Sequence, residues 1–281
     1  MKVRDVLSRL RGQHVALLPN NGNCGDGLIL MGLRRLCAEF RVSTTELRHP
    51  FPARGTTLLA LACGNLCRPY HSAIERIQYY AGGFRQLVIL PCSVDPACDE
   101  VAEFMRSLPE QTLFFCRERQ SYRLVEPLLA DRSRLHLDHD LAFAADYAPW
   151  QRPGRGNLSA FRSDGESAAA PPPGNVDVSM WGGEWKGECL LDVVSAVASV
   201  HTDHVHVAIA GAMLGKETHL YATSYHKVAA MYDYSLSQRS NVFFHRRGHE
   251  SAPPTDSPHV YAWRDAASAW LDRRVTEGFS A

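Results

Sequence analysis

Short apolar runs alternate with amphipathic stretches through the first half of the chain. Each run has the length and composition of a buried strand, and polar or glycine-rich residues follow it. Strands are predicted at His14–Leu18, Thr57–Ala62, Gln86–Leu90 (ended by Pro91), Thr112–Cys116 and Leu135–Leu137. Helices are predicted at about Asp26–Phe40, around Ile74 and Ile77, and at Glu118–Leu129. This order predicts a parallel sheet with helices on both faces.

The alternation resumes after a break rich in proline, glycine and arginine. Strands are predicted at Asn157–Arg162, Val200–Thr202, Thr218–Tyr221 and Val242–His245. Helices are predicted at Cys189–Ala198, Val205–Leu214, Tyr225–Tyr234 and Ala262–Val275. The segment Ser163–Gly174, with three consecutive prolines, is expected to be a mobile loop or linker rather than core.

These patterns predict an α/β protein with two Rossmann-like domains facing a cleft. The N-terminal domain is expected to span residues 1–152 and the C-terminal domain residues 153–258. Residues 259–281 are expected to form a C-terminal helix that packs back on the N-terminal domain. Ligands of parallel sheets bind beyond the carboxyl ends of the strands, so candidate site residues are sought there.

The beginning of the chain does not resemble a signal peptide. Acidic and basic residues precede any apolar core, and the apolar positions of Val3–Leu10 have helical spacing. No run of about 20 apolar residues is present, so no membrane-spanning helix is expected. The expected location is cytoplasmic, with at most peripheral contact with a membrane.

Composition narrows the function further. The 281 residues include 30 Lys+Arg and 30 Asp+Glu, so the formal net charge is zero. This balance provides no basic field for a nucleic-acid partner. The eight cysteines form no CxxC pair, and several lie in apolar runs. Buried reduced thiols are expected, without a metal site.

The segment Gly22–Ile29 carries the most chemical information. A strand leads into small residues, and a helix follows. Gly22 and Gly25 permit a positive φ and close backbone approach, and the free N–H groups of the helix start favour an anion. The pattern is neither GxGxxG nor a P-loop. Asp26 has two interpretations, a cap of the helix or a chemical role.

A second polar segment follows the strand that ends at Thr202. Asp203 is placed to cap the next helix, and His204 and His206 fall in its first turn. The two histidines could face an anionic ligand, bind a metal, or be structural.

Two arginines and one aromatic segment are further candidates. Arg117 and Arg162 follow predicted strands, where a guanidinium can clamp a carboxylate or phosphate. The alternative for each is an ion pair, with Glu118 or with Asp164. Ser224–Lys227 could line a sugar or nucleotide site, or its aromatic rings could pack a helix.

Taken together, these segments resemble the polysaccharide pyruvyl transferase family. The matching elements, in chain order, are Gly22–Ile29, Gly64-Asn65, Leu90–Ser93, Arg117–Ser121, Arg162–Glu166, Thr202–His206 with Leu214–Lys216, and Thr223–Lys227. They cover most of residues 15–235. His204 departs from the family, which has arginine at that position, and Ala62-Cys63 replace further glycines.

The resemblance implies a fold similar to GT-B glycosyltransferases. It implies transfer of pyruvate from phosphoenolpyruvate onto two hydroxyls of a sugar, as a cyclic ketal, without a cofactor or metal. The acceptor would be an exopolysaccharide repeat unit that can be carried on a lipid, which would bring the protein to the inner face of the cytoplasmic membrane.

The resemblance also implies a set of site residues. Asp26 is expected to act as general base, and His206 as general acid or phosphate partner. The implied substrate-binding residues are Gly22, Asn23, Gly25, Asn65, Ser93, Arg117, Arg162, His204, Tyr225 and Lys227. Replacing Arg117 or His206 by alanine is expected to abolish turnover while the fold survives.

Other functions are compatible with the same pattern. One is a GT-B-type glycosyltransferase that uses a nucleotide sugar, which needs a carboxylate for the donor ribose. Another is a non-catalytic member of the fold, which the departure at His204 leaves open. A nicotinamide oxidoreductase is disfavoured because the first turn lacks GxGxxG.

Overall fold

The chain forms two compact α/β units. The computed structural model describes residues 1–20, 22–47, 52–62, 65–67, 73–164, 166–168, 170–179, 181, 186–246 and 252–264. The first unit comprises Met1–Gly22 and Ile29–Ala145, and the second comprises Asn23–Leu28 and the chain from Asp146 onward. Within the described residues no helix is both long and apolar enough to cross a bilayer.

The first unit is built on a parallel sheet. Its strands are β1 (His14–Leu18), β2 (Ser43–Glu46), β3 (Gly55–Ala60), β4 (Asn65–Leu66), β5 (Phe84–Val94), β6 (Thr112–Cys116) and β7 (Leu135–Leu137). Their order is β2-β1-β3-β5-β6-β7, and the short β4 pairs with the end of β5. Every pairing is parallel, which confirms the α/β class. The polar edge strand β2 was missed because its side chains carry no apolar alternation.

Five helices flank this sheet. They are α1 (Val3–Arg9), α2 (Cys24–Glu39, whose first turn belongs to the second unit), α3 (Ala73–Ala81), α4 (Asp99–Arg106) and α5 (Arg119–Val125). The apolar positions of α1 are buried, as their spacing predicts. In α4, which the sequence analysis missed, two acidic residues begin the helix and Arg106 ends it, in accord with the helix dipole. The core includes Leu58, Ile77, Tyr80, Ile89, Phe104 and Phe114.

Strand β5 continues past the proline that was expected to end it. The register against β6 shifts between Ile89 and Cys92, so Pro91 lies at an irregularity of the ladder. A proline is tolerated there because the irregularity does not require its missing N–H. Ser93 consequently lies inside the strand, fully buried, rather than in a following loop.

The second unit contains a smaller parallel sheet. Its strands are β8 (Asn157–Ala160), β9 (Ser199–Thr202), β10 (Glu217–Tyr221) and β11 (Val242–His245), in the order β11-β10-β9-β8. Its helices are α6 (Lys186–Ser195), α7 (Val205–Met213) and α8 (Lys227–Met231), which continues as a π-helical turn. Strands that are consecutive in the chain are neighbours in this parallel sheet. Since such crossovers are right-handed as a rule, the connecting helices are expected on one face.

The proline-rich segment after β8 is not a free linker. Asn175 exchanges two hydrogen bonds with the backbone of Phe161, at 2.7 and 2.9 Å, and the N–H of Val176 donates to the carbonyl of Ser159. Glu166, inside the same segment, is buried. Asn175 and Val176 directly follow the predicted loop Ser163–Gly174 and fix its end. Within the loop, the expectation of a mobile segment rather than core is wrong at Glu166, whose side chain is buried and bonded to Lys227.

The end of the described chain contacts the second unit. His259 and Trp263 donate to the carboxylate of Asp192, and the Tyr261 hydroxyl donates to the carbonyl of Thr255. The boundary between the units, at Ala145, precedes the expected one because residues 146–152 pack with the second unit. Most of the predicted terminal helix lies outside the described residues, so its packing on the first unit stays a prediction.

The described cysteines are free and buried. Burial raises the pKa of Cys37 and of Cys189 to about 11, so both stay protonated thiols at neutral pH. Cys63 lies outside the described residues. For the others the expectation of buried thiols is confirmed.

Candidate functional site

Helix α2 begins with a capping box. The Asn23 side-chain oxygen accepts a hydrogen bond from the backbone N–H of Gly25 at 2.8 Å. The Asp26 carboxylate accepts one from the backbone N–H of Asn23 at 3.0 Å. Both bonds satisfy amides that the helix start leaves without partners. Asp26 therefore has the capping role that the sequence left open, and a carboxylate with about four acceptor positions can still accept a further proton or bond.

His206, in the first turn of α7, packs against the first turn of α2. A Cβ atom built on Gly25 would lie 2.1 Å from Nδ1, 2.6 Å from Cγ and 2.9 Å from Cβ of His206. A side chain at position 25 is therefore incompatible with this contact, and glycine is required. The fold thus joins two motifs that are far apart in sequence.

The start of helix α6 meets the same turn of α2. A Cβ atom built on Gly27 would lie 2.6 Å from the backbone N of Gly187 and 3.0 Å from Cβ of Lys186. Three helix starts therefore meet in the second unit, and the positive ends of their dipoles favour an anion, while the N–H groups of Cys24 and Gly25 in α2 are bonded to Ser179 and Asn23. Lys186 adds a cation. Lys186 was not among the predicted site residues because α6 was expected to begin at Cys189.

His204 is the N-cap residue of α7 and faces an acidic partner. Its Nε2 lies 3.3 Å from the Asp177 carboxylate. Burial alone would raise the pKa of Asp177, but the hydrogen bond and charge of His204, with bonds from Ser179, lower it to about 2. His204, at the position where the polysaccharide pyruvyl transferase family has arginine, thus has the Asp177 carboxylate as its partner.

Asp203 is not the cap that its sequence position suggests. Its Oδ1 accepts a hydrogen bond from the backbone N–H of Arg162 at 2.8 Å, while the Thr202 hydroxyl accepts from the N–H of His204 at 3.0 Å. The Asp203 carboxylate therefore connects the carboxyl ends of β8 and β9. The Thr202 hydroxyl, instead of Asp203, accepts the hydrogen bond from the backbone at the start of α7.

Glu166 is the centre of a buried ionic cluster, hereafter the Glu166 cluster. Its Oε2 accepts from the guanidinium of Arg162 and from Lys227 Nζ at 2.5 Å, and its Oε1 accepts from the Tyr225 hydroxyl at 2.7 Å. Arg162 also contacts Asp164 at 2.8 Å. Burial alone would raise the pKa of Glu166, but Lys227 and Arg162 lower it to about 2.

The Glu166 cluster changes the interpretation of three predicted residues. Arg162, Tyr225 and Lys227 were expected to contact substrate, yet all three are held by one carboxylate. The alternative partner Asp164 is confirmed for Arg162. Glu166, four residues after Arg162, was missed as a site residue because Tyr225 and Lys227 follow it by about sixty residues and no local rule connects them to it.

Arg117 belongs to a separate buried cluster in the first unit. Its Nε donates to the Ser93 hydroxyl at 2.9 Å, and its Nη1 donates to the Asp140 carboxylate at 2.7 Å. Arg117 and Asp140 are each 1% exposed. Glu118, the alternative partner, instead caps α5 by accepting from the N–H groups of Gln120 and Ser121. Arg117 thus fastens the carboxyl ends of β5, β6 and β7.

The remaining predicted residues contribute backbone only, as far as the structure describes them. Asn65 pairs with Ser93 in the β4–β5 ladder, and its side chain, like the whole of Gly64, lies outside the described residues. Among the described glycines, a positive φ occurs at Gly12, Gly156, Gly174 and Gly215. Gly25 does not use the positive φ that glycine permits, and the close approach of His206 explains the glycine there.

Replacing Asp140 by asparagine is expected to destabilise the first unit by about 3–5 kcal/mol, because the Arg117 charge would stay buried without its counter-ion. Urea unfolding followed by far-UV circular dichroism measures the loss. The matched control is Glu46→Gln, which removes the exposed ion pair with Arg34 and should change stability by less than about 1 kcal/mol.

Equal stabilities of the two variants would contradict this structural role. By the same argument, we expect Arg117→Ala to make the first unit unfold more readily, instead of leaving the fold unaffected.

The arrangement in the second unit can bind an anion and transfer protons. The helix starts, the His206 imidazole and the Asp26 carboxylate lie close together there. The bond between Asp203 and the N–H of Arg162 connects them to the Glu166 cluster. Within the described ranges no group of three or more His, Cys, Asp or Glu side chains is placed to hold a metal ion.

Comparison with known proteins supports the fold and no particular function. No family model matches the chain, and no curated protein matches it. Among solved structures, the chain is similar to a functionally uncharacterized protein from Klebsiella pneumoniae subsp. pneumoniae NTUH-K2044, with a TM-score of 0.74 and 22% sequence identity. The match covers 87% of this chain and 96% of that one. At this identity the likeness shows a shared α/β fold alone.

Proposed function

We propose that the protein is a pyruvyl transferase that moves pyruvate from phosphoenolpyruvate onto a sugar diol as a cyclic ketal. The acceptor class is a repeat unit of an exopolysaccharide, either free or carried on a lipid at the inner face of the cytoplasmic membrane. A GT-B-like arrangement of the two α/β units is part of the same proposal. The residues to which we assign roles in the reaction all belong to the second unit.

The contact between Gly25 and His206 carries the proposal. These residues belong to two elements of the family resemblance, Gly-Asn-x-Gly-Asp and Thr-Asp-x-x-His, and the contact requires a glycine. Two further elements meet in the Glu166 cluster. The backbone N–H of Arg162 links that cluster to Asp203. Elements that are scattered in sequence thus assemble at the carboxyl ends of β8, β9 and β10, where parallel sheets bind ligands.

The donor requires anion recognition. Phosphoenolpyruvate carries a phosphate and a carboxylate, and the positive dipole ends of α2, α6 and α7, which meet in the second unit, favour one of them. Lys186 and His206 add positive charge or hydrogen-bond donors at the same starts. The residues of the Glu166 cluster hold the strand ends that carry these groups, which is a positioning role.

The reaction needs one proton donor and one proton acceptor. His206 protonates the methylene carbon of the donor, which makes the adjacent carbon electrophilic. Asp26 takes the proton of the attacking sugar hydroxyl, and phosphate leaves with the former enol oxygen. A second hydroxyl then closes the ketal and gives its proton to His206, while the proton held by Asp26 passes to the departing phosphate. The products are inorganic phosphate and the pyruvate ketal, so atoms and charge balance without a redox partner.

An assay with the whole chain tests the proposal. The protein is incubated with phosphoenolpyruvate and a panel of lipid-linked oligosaccharides, while released phosphate and the acceptor mass are measured. We expect phosphate release only when an acceptor with a free diol is present, and an equal amount of acceptor that has gained a pyruvate ketal. The matched control is the same acceptor with one hydroxyl of the diol methylated.

Two results would overturn the proposal. One is acceptor turnover with a uridine-diphosphate sugar and none with phosphoenolpyruvate, which would favour a glycosyltransferase. The other is binding of neither donor, measured by calorimetry, which would favour a non-catalytic member of the fold.

A further inference from the structure

Three histidines form a stacked ladder on one face of the second sheet. His201, His219 and His245 lie on neighbouring strands β9, β10 and β11, and we call them, with Tyr221, the histidine ladder. His201 and His219 are partners in the parallel register, and their rings stack at 4.3 Å with an interplanar angle of 2°. Tyr221 and His245 are also partners and stack at 4.4 Å.

This face of the sheet is turned away from helix α7. Thr218 meets Gly211 of α7, where a built Cβ would lie 2.5 Å from the threonine hydroxyl. Because side chains alternate along a strand, His219 and Tyr221 point to the opposite face. The ladder is therefore outside the Glu166 cluster and outside the converging helix starts.

Hydrogen bonds fix how many protons the ladder can hold. His219 Nδ1 and His245 Nε2 are 2.9 Å apart, and His219 Nε2 is 2.9 Å from the Glu217 carboxylate. Since a carboxylate accepts, His219 donates from Nε2, so in its neutral form its Nδ1 accepts a hydrogen bond from the Nε2–H of His245. One added proton can be shared by this pair, but a second leaves two N–H groups facing each other. The bond must then break.

His201 resists protonation as well. It is buried, its Nδ1 lies 3.1 Å from the Tyr221 hydroxyl, and its ring face is covered by His219. Burial, followed by the charges of His219 and His245, lowers its pKa to about 4, against the opposing effect of Glu217. Burial also lowers the pKa of His245. Asp256, a carboxylate on the segment packed against β8, accepts hydrogen bonds from the backbone and side chain of Asn157.

We propose that the histidine ladder is an acid-sensitive lock that fastens strands β9, β10 and β11 while it holds at most one proton, and that further protonation releases β11 from β10 and β10 from β9. The lock is distinct from the proposed transferase activity. The ladder lies on the strands that lead into the segments Thr202–His206 and Tyr225–Lys227. Release of these strands would therefore also displace the two segments.

The direction of the pH effect follows from proton linkage. An unfolded histidine titrates near pH 6.5, whereas His201 in the fold takes its proton only near pH 4. Between these values the opened state binds more protons, so acidification favours opening. From His201 alone, the opening equilibrium should increase about 10-fold between roughly pH 7.5 and pH 5.5.

Hydrogen exchange of the full chain, corrected for the intrinsic pH dependence of exchange, tests the lock. We expect peptides covering β10 and β11 to open about 10-fold more readily near pH 5.5 than near pH 7.5 in the native protein. The increase should be lost when all three ladder histidines are replaced (His201→Gln, His219→Gln and His245→Gln). It should persist in the control His14→Gln, which alters a histidine bonded to Ser43 and Thr45 in the first unit.

A second measurement covers the case in which the triple variant does not fold. Carbon-13 labelling at histidine Cε1 reports the titration of each ring in the native protein, with assignments from single His→Gln variants. We expect His201 to titrate far below the ordinary value. Ordinary, independent titration of all three ladder histidines would overturn the proposal, as would equal pH responses of the native chain and a folded triple variant.

Discussion

Gly25→Ala is expected to lower turnover by about 100-fold or more while both units stay folded. The new methyl group would lie within 3.0 Å of three atoms of His206, including its Cβ, so rotation of the ring cannot relieve the overlap. The imidazole or helix α7 must move, and a displacement of about 1 Å at a reacting group costs on the order of 100-fold in rate. Alanine is otherwise the better helix former, so no backbone penalty explains a loss.

The matched control is Gly82→Ala, because a Cβ at that position meets nothing within 4 Å. Phosphate release in the transferase assay measures turnover, and thermal melting measures folding. In the background of His206→Ala, adding Gly25→Ala should cost little more, since both act on one imidazole. Near-normal turnover of Gly25→Ala would remove His206 from the mechanism.

Glu166→Gln is expected to destabilise the second unit by about 3–5 kcal/mol. The substitution leaves the cations of Arg162 and Lys227 buried without their shared carboxylate. Because the pKa of Glu166 is lowered to about 2, its stabilising effect is complete above about pH 4.5 and is lost as the pH falls toward 2. The difference between the native protein and Glu166→Gln should shrink in that acidic range.

Tryptophan fluorescence during urea unfolding measures this effect, since all five tryptophans lie at or after position 150. The control Arg152→Gln removes a more exposed ion pair with Asp192 in the same unit and should cost about 1 kcal/mol or less. Adding Lys227→Met to Glu166→Gln should recover part of the stability by removing one stranded charge. Strict additivity of the two changes would show that the residues do not act as a cluster.

Local sequence patterns predicted many of the elements and the capping residue. The strands His14–Leu18, Thr112–Cys116, Leu135–Leu137 and Val242–His245 have the predicted bounds. The capping role of Asp26 also follows from residues three positions apart. These features depend on burial and on neighbours within one helical turn, which a sequence pattern encodes directly.

Patterns failed where a distant group changed the local preference. Pro91 was expected to end a strand, yet an irregularity in the ladder with β6 accommodates it. Asp203 has the position of a helix cap, but its carboxylate accepts a hydrogen bond from the N–H of Arg162, just after strand β8. The composition of the proline-rich segment predicted a linker, but Glu166 within it and Asn175 directly after it fix it through distant bonds.

The amino-acid sequence by itself determined the α/β class, the order of most elements and the cap of helix α2, because periodicity and capping act over a few residues. The tertiary structure alone decided which charges meet. Glu166 gathers Arg162 and Lys227, Asp140 engages Arg117, and Asp177 faces His204. These partners are brought together by strand order and by glycines that admit close contact, and in a buried environment each charge must find its counter-ion wherever the sheet places one.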